Sequence, residues 1–152
     1  MTTTDQIHGV FVIGGSGYMG SRLIPLLLDR GHRVTALVRR HSVKTLPPQC
    51  QPVVGDVLEH SSYVRAISPC DTFVHLVGVP HPSPAKAHLF KDIDLVSRRE
   101  AIAAAAAMGG GHFVYVSVAH DSIERNGGDD PQAVEHPAEG VRVLTVPEIR
   151  EG

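Results

Sequence analysis

The chain has 152 residues and a net charge of −2, with 14 Lys and Arg against 16 Asp and Glu; that is room for one ordinary domain but not two full-sized ones, with no basic field for nucleic acid. Hydrophobic residues make up 42% and aromatics 5% with no Trp, which excludes a wholly disordered chain and predicts a core of Val, Ile, Leu and Ala rather than stacked rings. No apolar run reaches the roughly 18 residues of a membrane span, and Cys50 and Cys70 without a charged-then-apolar leader predict a cytoplasmic protein without a disulfide framework.

His8–Ile13 is a short β-branched and aromatic run ending in Gly14-Gly15-Ser16-Gly17, the pattern of a buried strand feeding a tight turn. From Tyr18 the spacing becomes helical, with Met19, Leu23, Leu26 and Leu27 on one side, Arg22 and Arg30 on others, a mild kink expected at Pro25, and Gly31 as the stop. Arg33–Val38 is the second strand and completes a βαβ unit of about 30 residues. Gln51–Gly55 follows as a strand, Glu59–Ile67 as a short helix, Thr72–Val77 as a strand and Ala87–Met108 as a long helix. Gly109-Gly110-Gly111 stops that helix before a fifth strand, His112–Val118. Strands apolar on both faces and separated by helices predict an α/β fold: a Rossmann-like, doubly wound parallel sheet of about five strands.

The chain changes character near residue 120. Residues 1–120 hold 11 basic and 8 acidic side chains, and residues 121–152 hold 3 and 8. Asp121–Gly140 is rich in Gly, Asp, Asn, Glu and Pro and predicts a loop, and Val141–Val146 predicts one more strand with no evident partner. The expected organisation is one α/β domain over 1–120 and an acidic loop and irregular tail over 121–152.

Gly14-Gly15-Ser16-Gly17-Tyr18-Met19-Gly20 spaces its glycines G-x-x-G-x-x-G between a predicted strand and a predicted helix. Early glycines let the backbone turn and approach a pyrophosphate, the last allows close helix–strand packing, and the helix N-terminus offers free N–H groups. Ser16, Tyr18 and Met19 lie within this loop. The ribose of a bound dinucleotide belongs near the end of the second strand, where Val38-Arg39-Arg40 stands in place of an acidic residue. Arg39 can pair with a 2′-phosphate, which favours NADP, with NAD the alternative and solvated surface arginines the plain reading. Asp56, after the third strand, is suited either to accept from the adenine amino group or to cap the helix from Glu59.

Ile13–Gly20, Ala36–Arg39, Gly55-Asp56-Val57, His75-Leu76-Val77-Gly78 and Val114-Tyr115-Val116-Ser117 resemble, in order, signatures of the atypical and extended short-chain dehydrogenase/reductase superfamily. Within it they resemble the NAD(P)H-binding, NmrA-like and NAD-dependent epimerase-like branches. The resemblance covers residues 7–120. It implies that Val77 and Gly78 border the cofactor after the fourth strand, that Asp56 and Val57 lie at the adenine, and that Ser117 matches the active-site Ser. It also implies an oxidoreductase or epimerase by family, yet those enzymes use a Tyr-x-x-x-Lys pair for proton transfer. The tyrosines here are Tyr18, Tyr63 and Tyr115, and the fourth residues after them are Arg22, Ile67 and Ala119. The chain therefore resembles a member whose middle has been deleted, its tail (Gly140–Arg150) resembling the family's C-terminus. Two further readings follow: a non-catalytic redox or nucleotide sensor, and a remnant that meets a homo-oligomer or another protein partner through an exposed sheet edge.

Other constellations are weaker. His75, His81 and His88 lack metal-ligand spacing, so no metal site is expected. Ser117, His120 and Asp121 lie too close in one chain to form a hydrolytic triad and lack the G-x-S-x-G elbow. The Pro80–Pro84 loop falls at the carboxyl end of the sheet, either beside the nicotinamide or simply as the strand's exit.

Overall fold

The computed structural model describes residues 6–77, 85, 87–109, 111–116 and 141–145. The predicted strands form as β1 (Gly9–Ile13), β2 (Arg33–Val38), β3 (Gln51–Val54), β4 (Thr72–His75), β5 (His112–Val116) and β6 (Val141–Thr145). They make one sheet in the order β3-β2-β1-β4-β5-β6. The first five are parallel, as the alternation with helices requires, and β6 runs antiparallel to β5. This pairing supplies the partner that the pattern of Val141–Val146 did not identify. It also moves the edge on that side of the sheet from β5 to β6, because residues 112–116 pair with 145–141 along their whole length.

The strands are apolar on both sides because each side carries a layer. Val10, Val12, Val34, Ala36 and Val74 pack toward α1 (Gly20–Asp29) with Ile24, while Phe11, Ile13, Leu37 and Phe73 face the opposite layer with Ala101, Ala104 and Ala105. Alternation along β1 thus sends successive residues to different helices. α1 runs through Pro25 and ends with a paired closure, Gly31 N–H donating to the Leu28 carbonyl (2.9 Å) and His32 N–H to the Leu27 carbonyl (3.1 Å).

Three expectations are corrected. The core is not purely aliphatic: Phe11, Phe73, Phe113 and Tyr63 share one cluster, with Phe11 edge-on to Phe73 at 5.4 Å and stacked on Tyr63 at 6.1 Å. The small side chains of the alanine-rich helix leave the volume that these rings fill. Glu59–Ile67 is not an α-helix but two 3₁₀ turns, His60–Ser62 and Val64–Ala66. Ser62 Oγ donates to the Glu59 carbonyl (2.7 Å), and Tyr63 between the turns is drawn into the core at 1% exposure. The predicted long helix is present but interrupted, as α2 (Ala87–Leu89), a π-helical segment (Phe90–Leu95) and α3 (Val96–Met108). At the junction the Ser97 hydroxyl donates to the Asp94 carbonyl at 3.2 Å. The loops expected over Pro80–Pro84 and Asp121–Gly140 lie outside the described residues. Among the described residues no helix is long and apolar enough to cross a membrane.

Candidate functional site

β1 and β4 are neighbours, although β2 and β3 precede β4 in the chain, so the sheet reverses direction of growth between them. In an open parallel sheet this is where a crevice opens beyond the carboxyl ends of the strands. Ile13 and His75 end the pairing, and the Leu76 N–H donates to the Ile13 carbonyl at 2.9 Å.

The glycine loop leaves β1 at this point. Gly14 has φ +87°, and a Cβ there would lie 3.1 and 3.2 Å from the backbone of Leu76 and Val77, so both the turn and the close passage of β4 call for glycine. Gly17 N–H donates back to the Gly14 carbonyl (3.1 Å), and Ser21 N–H to the Gly17 carbonyl (2.9 Å). A Cβ on Gly20 would stand 2.5 Å from the Gly14 oxygen, and one on Gly15 would stand 2.8 Å from Ala36 Cβ. These contacts seat the start of α1 on the loop. Ser16, Gly17, Tyr18 and Met19 are exposed along the loop. No described residue accepts a hydrogen bond from the Ser16, Tyr18 or Met19 N–H, and the first turn of α1 contains no acidic residue. A pyrophosphate requires close backbone approach, open N–H donors and no opposing carboxylate, and the loop meets all three requirements.

Arg39 and Asp56 stand at the same end of the sheet. Val38 pairs with Val54, the last residues of β2 and β3, and Gly55 N–H joins them at the Val38 carbonyl (3.3 Å). Arg39 is exposed and extended immediately after β2. Asp56 is exposed too, with Oδ1 accepting from Leu58 N–H at 2.9 Å. This is an Asx turn rather than the cap of an α-helix, because the helix expected from Glu59 is not formed. Val57 and Val77 are half-buried against the aromatic cluster. Gly78 and Ser117 lie outside the described residues.

The sequence drew no role from His75, which is 3% exposed at the end of β4. Its Nε2 lies 3.2 Å from Ser97 Oγ and its ring stacks on Phe113. The Ser97 hydroxyl also reaches the Asp94 carbonyl at 3.2 Å, so it links the buried ring to the start of α3. Burial, reinforced by the nearby Arg98 charge, lowers its pKa to about 4. A single His inside the apolar run Thr72–Val77 was the available signal, and its partner lies 22 residues away.

A cavity of about 630 Å³ opens at the opposite, amino ends of β1, β2 and β3, lined in part by Pro25, His32, Gln49 and Cys70. It is separate from the glycine loop. Burial first, and then the charge of Asp71, push the Cys70 thiol up to about 11, so it is not a poised nucleophile.

A family model described as NAD(P)H-binding matches residues 14–140. A 3 beta-hydroxysteroid dehydrogenase/Delta 5-->4-isomerase of Mycobacterium tuberculosis is 33% identical over 76 residues, 50% of this chain and 20% of that protein. A 2-alkyl-3-oxoalkanoate reductase of Stenotrophomonas maltophilia is 26% identical over 141 residues, 91% of this chain and 39% of that one. Among solved structures, the Bordetella bronchiseptica enzyme WbmH in complex with NAD+ matches with a TM-score of 0.57 at 25% identity, covering 71% of this chain and 38% of that one. A UDP-galactose 4-epimerase matches in fold, with a TM-score of 0.63 at 21% identity, covering 73% of this chain and 38% of the other. The chain spans between a fifth and two fifths of the length of these relatives.

Proposed function

The chain belongs to the NAD(P)H-binding family, and we propose that it binds NADP(H) in preference to NAD(H) at the carboxyl ends of β1 to β4. The observation that carries this reading is the glycine loop: open Ser16, Tyr18 and Met19 amides at the start of α1, with no acidic residue in its first turn. In the bound state the pyrophosphate would rest on those N–H groups beside Gly14, Gly15, Gly17 and Gly20. Arg39 would meet a 2′-phosphate with its fixed fork of donors. Asp56 would accept from the adenine amino group, Val57, Val77 and Gly78 would border the cofactor, and Ser117 would orient a substrate carbonyl.

The dinucleotide would supply hydride chemistry, but reduction of a carbonyl also needs a proton donor. A Tyr-x-x-x-Lys pair is absent from this sequence, and Tyr63, at 1% exposure, is committed to the core. That favours binding without turnover, the behaviour of a redox or nucleotide sensor.

Calorimetric titration with NADPH and NADH tests the reading. Saturable binding of both is expected, tighter for NADPH, and Arg39→Gln should reduce that preference about tenfold or more. No binding of either at millimolar concentration overturns the cofactor reading. Carbonyl-dependent oxidation of NADPH by the purified chain overturns the non-catalytic one.

A further inference from the structure

Arg22 occupies the first turn of α1, where the partial positive charge of the helix disfavours a cation. No described carboxylate pairs with it. It is nonetheless held in one place: its Nη1 donates to the Tyr18 carbonyl at 2.9 Å, and its guanidinium carbon lies 3.6 Å from the centre of the Tyr18 ring. Ser21 Oγ donates to the same carbonyl at 3.0 Å. Tyr18 is 75% exposed, so a largely solvated ring and an exposed cation stand together one residue from the open Met19 amide. Packing does not explain this arrangement, since neither side chain enters either core layer.

We infer that Arg22 is a phosphate-binding residue of the dinucleotide site, with Tyr18 as the platform that holds its guanidinium at the mouth of the glycine loop. The inference rests on the cofactor reading above and adds to it a charged contact to the pyrophosphate. A dinucleotide reaching the Ser16, Tyr18 and Met19 amides brings two negative charges to the end of α1. One Nη1 donor is engaged by the Tyr18 carbonyl, and the remaining guanidinium donors are available to a phosphate oxygen. The charge that the helix end disfavours is then neutralised by the ligand. Tyr18 therefore contributes twice, through its N–H and through its ring.

Because NAD and NADP share the pyrophosphate, Arg22 acts on both, unlike Arg39. The test compares native chain, Arg22→Gln and Arg39→Gln for binding of NAD+, NADP+ and adenosine across a salt series. Arg22→Gln should weaken NAD+ and NADP+ equally, by about tenfold or more, leave adenosine unchanged, and flatten the salt dependence of dinucleotide binding. Unchanged dinucleotide affinity in Arg22→Gln, with the native chain binding normally, overturns the Arg22 assignment and leaves the cofactor reading intact. An equal loss for adenosine also overturns it, by showing that Arg22 only supports the shape of the loop. Failure of the native chain to bind any dinucleotide removes both.

Discussion

Single atoms decide the most at the glycine loop and at His75. Gly20 sits where an added Cβ would meet two backbone oxygens within 2.6 Å, and backbone cannot rotate away as a side chain can. Gly20→Ala should therefore cost about 1–3 kcal/mol in a denaturant titration despite alanine's better helix propensity, and it should weaken dinucleotide binding. His75 makes the opposite kind of demand, on protons. Its folded pKa lies near 4 against an ordinary 6.5, so between those values the unfolded chain binds the extra proton. The stability from neutral His75 is complete above pH 6.5 and is lost as the pH falls toward 4, in total about 3 kcal/mol. In His75→Gln the stability curve should flatten over that interval, and an unchanged slope would show that other groups set it.

The second layer of the sheet is built from elements that hold one another. The 3₁₀ turn at His60–Ser62 has too few internal hydrogen bonds to persist alone, and Glu100 on α3 holds it by accepting from both the backbone N–H of His60, at 2.8 Å, and its ring. Those two hydrogen bonds keep the Glu100 carboxyl below its ordinary range. Their contribution is present above that ordinary range and is lost as the pH falls through the lowered folded value. Glu100→Ala leaves the His60 N–H without its acceptor and should cost about 1–2 kcal/mol by thermal or chemical unfolding. Glu100→Gln, which keeps an acceptor oxygen, should recover part of that. Full native stability in Glu100→Ala would show that the turn stands on Tyr63 packing alone.

For the molecule as a whole, the question is which strands stand at the two edges of the sheet. At β3 the edge carries Pro52, which has no N–H to offer a neighbouring strand. At the other side β6 pairs with all five residues of β5. Deleting residues 141–145 should uncover that row of backbone donors and acceptors and drive association into dimers or larger species, read by sedimentation or light scattering. A shortened chain that stays monomeric would mean that β5 does not need this partner.

Much of this architecture was legible in the amino-acid order because the signals are local. Runs such as Gly9–Ile13 and Arg33–Val38 bury both faces of a strand, glycine spacing opens a turn after β1, and Gly31 and Gly109 stop helices, each through rules acting over a few residues. These determined the order of elements, the parallel sheet and the position of the glycine loop. Tertiary structure alone decided that few aromatics would gather into one cluster and that Glu59–Ile67 would tighten into 3₁₀ turns around Tyr63. It also decided that β6 would close β5, that His75 would meet Ser97, and that Arg22 would lie on Tyr18 over the loop. Those outcomes depend on which side chains share a volume, on the charge and solvent around them and, for all but the Tyr18–Arg22 pair, on residues distant in the chain.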